Sequence, residues 1–143
     1  MSDLSAIRAG LKTVVEAAIA GLTVYPTSHD GPLEYPCLRV IRDHEINYAV
    51  GAIGANDVRM FLPAMLYLSI HDSAEAWDEM DNYLSPTGAK SIRAAVMTDV
   101  TLNASCTHAE VVRSSEVTPD PDDKDRGWEF GARFDISIIA NIS

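Results

Sequence analysis

Ser28, His29 and Asp30 stand side by side in the chain and are the three residue types of a hydrolytic triad. Adjacency argues against that use. Neighbouring side chains diverge, whereas a nucleophile, its base and an orienting carboxylate must converge from separate segments. The trio therefore reads as a polar turn. His44, His71 and His108, with Cys37 and Cys106, carry metal-ligating atoms, but nothing among them has the spacing of a zinc motif. They read as surface or strand-end histidines and reduced, partly buried thiols. Asp120, Asp122, Asp123 and Asp125 offer carboxylates to a calcium ion. A calcium loop, however, wants an oxygen where Lys124 stands, then a glycine, then a glutamate at its twelfth position. The stretch reads as a solvated acidic loop. Gly51-Ala52-Ile53-Gly54 lacks the Gly-Lys-Ser/Thr of a phosphate loop and opens no helix, so it reads as a flexible loop tip. Trp77 and Trp128 read as core or interface residues rather than ligand platforms. No acid–base pair stands out, and the sequence predicts no catalytic residue, no cofactor and no metal.

The balance of charge narrows the partners. Eleven Lys and Arg against 21 Asp and Glu leave a net charge of −10 over 143 residues. So acidic a chain suits neither the neutralisation of nucleic-acid phosphates nor an anionic membrane surface. No apolar run is long enough to span a bilayer. The start, Met1-Ser2-Asp3-Leu4, lacks a basic and apolar leader, which predicts synthesis in the cytoplasm. Hydrophobic residues at 47% and charged residues at 22% fit one globular domain over residues 1–143.

Periodicity supplies the elements. Leu4, Ile7, Leu11, Val14, Val15, Ala18 and Leu22 recur at helical steps, with Ser2 or Asp3 to cap the start and Gly21 to end the helix. A short strand, Thr23–Tyr25, stops at Pro26. Pro26, Pro32, Pro36 and Gly31 make residues 26–36 a loop. Cys37–Asp43 reads as a strand, and the pattern weakens from Glu45. Val58–His71 is a long strand with Val58, Met60, Leu62, Ala64, Leu66, Leu68 and Ile70 in one apolar register. Pro63 within it predicts an edge position or a bulge. Asp72 and Glu75 form a capping-box start for a helix that turns Trp77, Met80 and Leu84 to one side. Ser85-Pro86 begins another turn, and a second helix buries Ile92, Ala95 and Val96. Cys106–Val117 is strand-like. The last strand alternates Trp128, Phe130, Ala132, Phe134, Ile136, Ile138, Ala140 and Ile142 with a mostly polar register. The order is α-β-β-β-α-α-β-β. It predicts an α+β single domain, a mainly antiparallel mixed sheet with helices packed on one face.

Several segments in this order resemble the tail terminator proteins of long-tailed, siphovirus-like bacteriophages. They are the helix running into a proline-closed strand, "LSAIRAGLKTVVEAAIAGLTVYP"; the hairpin with a Gly-rich connection and the helix–break–helix "DNYLSPTGAKSIRAAV"; then "HAEVVRSSEV", an acidic loop, and "WEFGARFDISIIA". Together they cover most of the chain. The resemblance implies a structural virion protein without chemistry. Such a protein forms a homo-oligomeric ring, a hexamer, on the head-proximal end of the tail tube. It stops tube polymerisation and offers the surface that joins the head–tail connector. Its partners are then the tail tube protein and the connector or head-completion protein, with DNA passing through the lumen without specific binding. An acidic lumen that repels phosphate is compatible with that passage.

Two other readings stand beside it. One is a head-completion or connector ring protein of the same virion. The other, of a different class, is a small cytosolic ligand-binding α+β module, which needs a pocket with convergent polar groups. For the ring reading, the candidate contact residues are Tyr48, Val50 and Ile53, with Leu33 and Tyr35. The stretch Tyr48-Ala49-Val50-Gly51-Ala52-Ile53 carries no charge although it falls in a connection between strands. It reads either as a docking loop or as a strand extension.

Overall fold

The computed structural model describes residues 4–27, 33–42, 44–47, 57–69, 73–117 and 129–141, beginning with a helix, α1 (Leu4–Ala18). Ile7, Leu11, Val14 and Val15 are buried along it, and Ile19 and Leu22 carry the same stripe past its end. Gly21, at φ +84°, takes the left-handed conformation that lets the chain turn back without a Cβ clash. The capping candidates Ser2 and Asp3 lie outside the described residues.

The strands are β1 (Thr23–Tyr25), β2 (Cys37–Val40), β3 (Glu45–Asn47), β4 (Asp57–Ser69), β5 (His108–Val117) and β6 (Glu129–Asn141). They form one mixed sheet in the order β1-β2-β4-β6-β5, with β3 also paired to β4. The β4–β6 ladder is its spine, running antiparallel from Asp57↔Asn141 to Ser69↔Glu129. Both strands have strict period-two apolar registers, so side by side they present one continuous greasy face. Val58, Met60, Leu62, Ala64, Leu66 and Leu68 meet Ala132, Phe134, Ile136, Ile138 and Ala140 there, all buried. Burial of each large side chain contributes roughly 1.5–3 kcal/mol. The helices α1, α2 (Ser73–Leu84) and α3 (Ile92–Met97) cover that face: α1 packs on β1 and α3, α2 on β4 and β6, and α3 on β5. The α+β single-domain architecture with helices on one side of a mixed sheet is therefore what the sequence predicts.

Five details differ from the sequence reading. The order gains a strand, because β3 pairs with β4 through Glu45↔Phe61, Ile46↔Met60 and Asn47↔Arg59. Three residues are too few to show a period, and their pairing comes from β4. Second, of the edge position or bulge that Pro63 predicts, the structure has the interruption and not the edge: β4 is central, and its ladder is interrupted beside Pro63. Pro63 is tolerated because the register on that side steps by two residues, from Val40↔Ala64 to Glu45↔Phe61. The Pro63 carbonyl accepts from Ile41 N–H at 3.0 Å, so its ring nitrogen points at this same interruption, where no ladder acceptor waits. Third, β1 and β2 pair in parallel, Val24↔Leu38, joined only by the proline-rich loop.

Fourth, Trp77 is 56% exposed. Met80 and Tyr83 mark the buried side of α2, and Trp77 sits at the margin of that stripe. Fifth, α3 starts at Ser91 and not at Pro86. The Ser91 hydroxyl accepts from Ala94 N–H at 3.1 Å, and Gly88 at φ +114° keeps the preceding residues out of a helix. The uncovered face of the sheet is mixed, as the second register of β4 implies. Cys37, Pro63 and Tyr67 are buried on it, whereas Arg59 is exposed.

Candidate functional site

Parallel pairing of β1 and β2 has a local consequence. Both strands leave the sheet at the same end, so Pro26 and Thr27 after β1 lie beside Ile41, Arg42 and His44 after β2. Crevices outside the carboxyl ends of parallel strands are common ligand sites. Here α1 closes the third side with Arg8. The result is a cavity of about 360 Å³ lined by Arg8, Pro26, Thr27, Arg39, Val40, Ile41, Arg42 and His44.

The residues that hold this corner are legible on α1. Arg8, Lys12 and Glu16 recur every four residues and so share one stripe of the helix, facing β1. The Lys12 ammonium reaches the Glu16 carboxylate at 2.6 Å and the Val24 carbonyl at 3.0 Å. The Val24 N–H donates to Glu16 Oε1 at 3.0 Å. Both outward-facing backbone groups of the middle residue of β1 are thereby satisfied by α1. This pins the edge strand to the helix and blocks foreign pairing at that point. Burial pushes the Glu16 carboxyl up, but the Lys12 ammonium and the Val24 N–H outweigh it and hold the group below its usual range. One turn nearer the N-terminus, Arg8 faces the cavity instead of a strand.

The cavity is strongly biased in charge. Three of the chain's eleven cationic residues line it, and among the described residues no carboxylate does. Arg39 is engaged at its tip, donating to Tyr67 Oη at 3.3 Å with its guanidinium carbon 5.5 Å from that ring's centroid. Arg8 is half-buried, and its Nε is shielded from solvent with no hydrogen-bond acceptor among the described residues. Arg42 is exposed at the mouth. Val40, Ile41 and Pro26 supply apolar wall.

At the opposite edge of the sheet a second corner is built for rigidity. Asp99 accepts from Thr101 Oγ1 at 2.6 Å, Thr101 N–H at 3.0 Å and Asn103 N–H at 3.0 Å. These bonds, the Thr101 hydroxyl first, hold its carboxyl below the usual range. They also secure three consecutive positive-φ residues, Leu102, Asn103 and Ala104. Gly10 of α1 lies against the Leu102 carbonyl, where any Cβ would overlap it.

The sequence candidates fare unevenly. Leu33 is half-buried and Tyr35 is 38% exposed, just before a cis peptide at Pro36, so this pair is available at the surface. The Tyr25 hydroxyl accepts from Glu34 N–H between them at 2.9 Å. Tyr48, Val50 and Ile53 lie outside the described residues. So do Ser28, His29, Asp30, His71, the Gly51–Gly54 stretch, the acidic loop 118–126 and Trp128. His44 and Cys37 sit at the β2 side of the sheet, His108 and Cys106 at the β5 side, and the two groups do not meet. Both cysteines are buried free thiols. Among the described residues no three His, Cys, Asp or Glu side chains gather as for a metal ion, and no helix is long and apolar enough to cross a membrane.

The arginine-lined cavity was missed by residue-type reasoning. Arg39 and Arg42, three apart at a strand exit, were its one local signal; Arg8 joins them only through the packing of α1. No protein-family model matches the chain, and no curated protein matches it.

Proposed function

We propose that the chain is a structural ring subunit of a phage virion, acting as a tail terminator: it caps the tail tube, stops its polymerisation and presents the surface for head joining. What supports this reading is the order of elements. A helix runs straight into a short strand closed by Pro26, the long β4 leads into a helix–break–helix, and a final antiparallel hairpin completes the sheet. That is the order on which the resemblance to tail terminators rests. In this reading the ring is a hexamer at the head-proximal end of the tail, its partners are the tube protein and the connector or head-completion protein, and DNA crosses the lumen unbound. Leu33 and Tyr35, with Tyr48, Val50 and Ile53, are the proposed contacts. The subunit performs no catalysis.

The test is negative-stain imaging of particles made with and without the protein. Loss should give tails of unregulated length that fail to join heads. Tails of normal length left unjoined would instead mark the chain as a head-completion or connector protein.

One observation favours a different class. The cation-lined cavity is the convergent polar pocket that a small ligand-binding module requires. Light scattering on the purified chain separates the two: a ring subunit associates at high concentration through heterologous contacts, whereas a ligand-binding module stays monomeric.

A further inference from the structure

We propose that the cavity between α1 and the ends of β1 and β2 is a binding site for a small oxyanion, a free carboxylate- or phosphate-bearing molecule held by the guanidinium groups of Arg8 and Arg42. The site is independent of whether the chain forms rings.

Four observations carry it. In a chain of net charge −10, the described residues of the lining include Arg8, Arg39 and Arg42 and no acidic residue. Some cations are matched within the fold: Lys12 pairs with Glu16, Lys90 with Glu79 and Arg133 with Asp135. Arg8 and Arg42 have no such partner among the described residues. A buried donor without an acceptor is costly, and the Arg8 Nε is one. An anion entering the cavity would supply that acceptor. Third, the α1 stripe sets the direction. Lys12 and Glu16 are spent on the Val24 backbone, while Arg8 extends the same row beyond the end of β1, into the cavity.

Fourth, the shape suits a small organic anion. The volume, about 360 Å³, falls within the range of small-molecule pockets. The planar arginine fork matches the paired oxygens of carboxylate and phosphate better than a lysine would. Thr27 adds a hydroxyl to the lining, and Val40, Ile41 and Pro26 offer wall to a carbon skeleton. Arg8 is half-buried, which strengthens its pairing with an anion relative to open water.

Titration calorimetry on the full chain at low ionic strength tests the site with two probes, inorganic phosphate and citrate. At least one should bind saturably, one per chain, and weaken as salt is raised. Arg42→Gln, at an exposed position that the fold does not depend on, should weaken binding roughly ten- to a hundredfold, the expectation for losing a charged hydrogen-bond partner. Arg8→Gln should do the same where the variant keeps the wild-type circular dichroism. Arg93→Gln, on the surface of α3, should change nothing. Preference for phosphate over citrate identifies a phosphate-type ligand, and the reverse a carboxylate. Absence of saturable binding by either probe at millimolar concentration overturns the proposal. So does binding that survives Arg42→Gln undiminished.

Discussion

Glu16 shows how one side chain can fix an edge. Its carboxylate takes the Lys12 ammonium and the Val24 N–H together, joining helix to strand. Replacing it with glutamine keeps the shape and removes the charge. Glu16→Gln should cost about 1 kcal/mol near neutral pH, and not more, because the side chain is 33% exposed and partly screened. The sign of the pH dependence follows from the lowered folded-state pKa. The contribution is present above the ordinary value of 4.5 and is lost as pH falls through the depressed range. Urea unfolding of both proteins across acidic pH should show their difference shrinking; a constant gap would remove the charge from the account. Gly10 is the second residue with a sharp expectation. A methyl there meets the Leu102 carbonyl and, at 2.8 Å, Ser105 Oγ. Gly10→Ala should therefore destabilise by about 1–3 kcal/mol despite its better helix propensity, read from the unfolding midpoint. Cys106 gives a chemical test. Burial, then the Asp99 charge, raises its thiol to about 11, so it stays protonated at pH 8 and below. Iodoacetamide should label it slowly in the folded protein and rapidly in denaturant. Fast labelling of the native chain would mean that the corner around Asp99 opens.

At the scale of elements, β6 carries the core. Phe134 and Ile136 are 1% and 0% exposed, on the helix-covered face of the sheet. Truncation of either to alanine should cost ~2–5 kcal/mol, the range for emptying a buried site. On the other register, Arg133 holds Asp135 at 3.0 Å in a part-exposed pair, so Arg133→Ala should cost under ~1 kcal/mol. Denaturant titration of the three variants compares the two faces directly; equal losses would mean that the second face is covered as fully as the first. The β5 strand shows how the far edge is handled. Its register slips between Val111 and Arg113, which turns Val112 out at 50% exposure. A bulge with charged neighbours is a poor template for another strand. With β1 pinned by Lys12 and Glu16, both ends of the sheet resist plain strand addition, so association through loops is the more favourable route.

For the whole molecule, that route is what the ring proposal requires. Changing Val50 and Ile53 together to aspartate should block tail completion in an assembly assay, because two charges would have to be desolvated at the contact. The monomer's stability should move by less than ~0.5 kcal/mol. A variant that unfolds would make the stretch part of the domain's own core, and one that assembles normally would take it out of the interface. What is periodic can be read from the chain: the α1 stripe, the apolar registers of β4 and β6, and hence one domain with a helix-covered sheet. Those signals are legible because burial on one face repeats every 3.6 or two residues along a single stretch of chain. Packing sets the rest: β1 lies parallel to β2, β3 exists, Pro63 sits mid-sheet opposite a register step, and Trp77 looks outward. Each depends on a partner remote in sequence, which no local pattern encodes. The cavity belongs to the same class. Arg8 is separated from Arg39 and Arg42 by a strand and a loop, and the helical spacing of Arg8 says nothing of what it meets, so their convergence arises only when the packing of α1 against a parallel strand pair brings three cations to one corner.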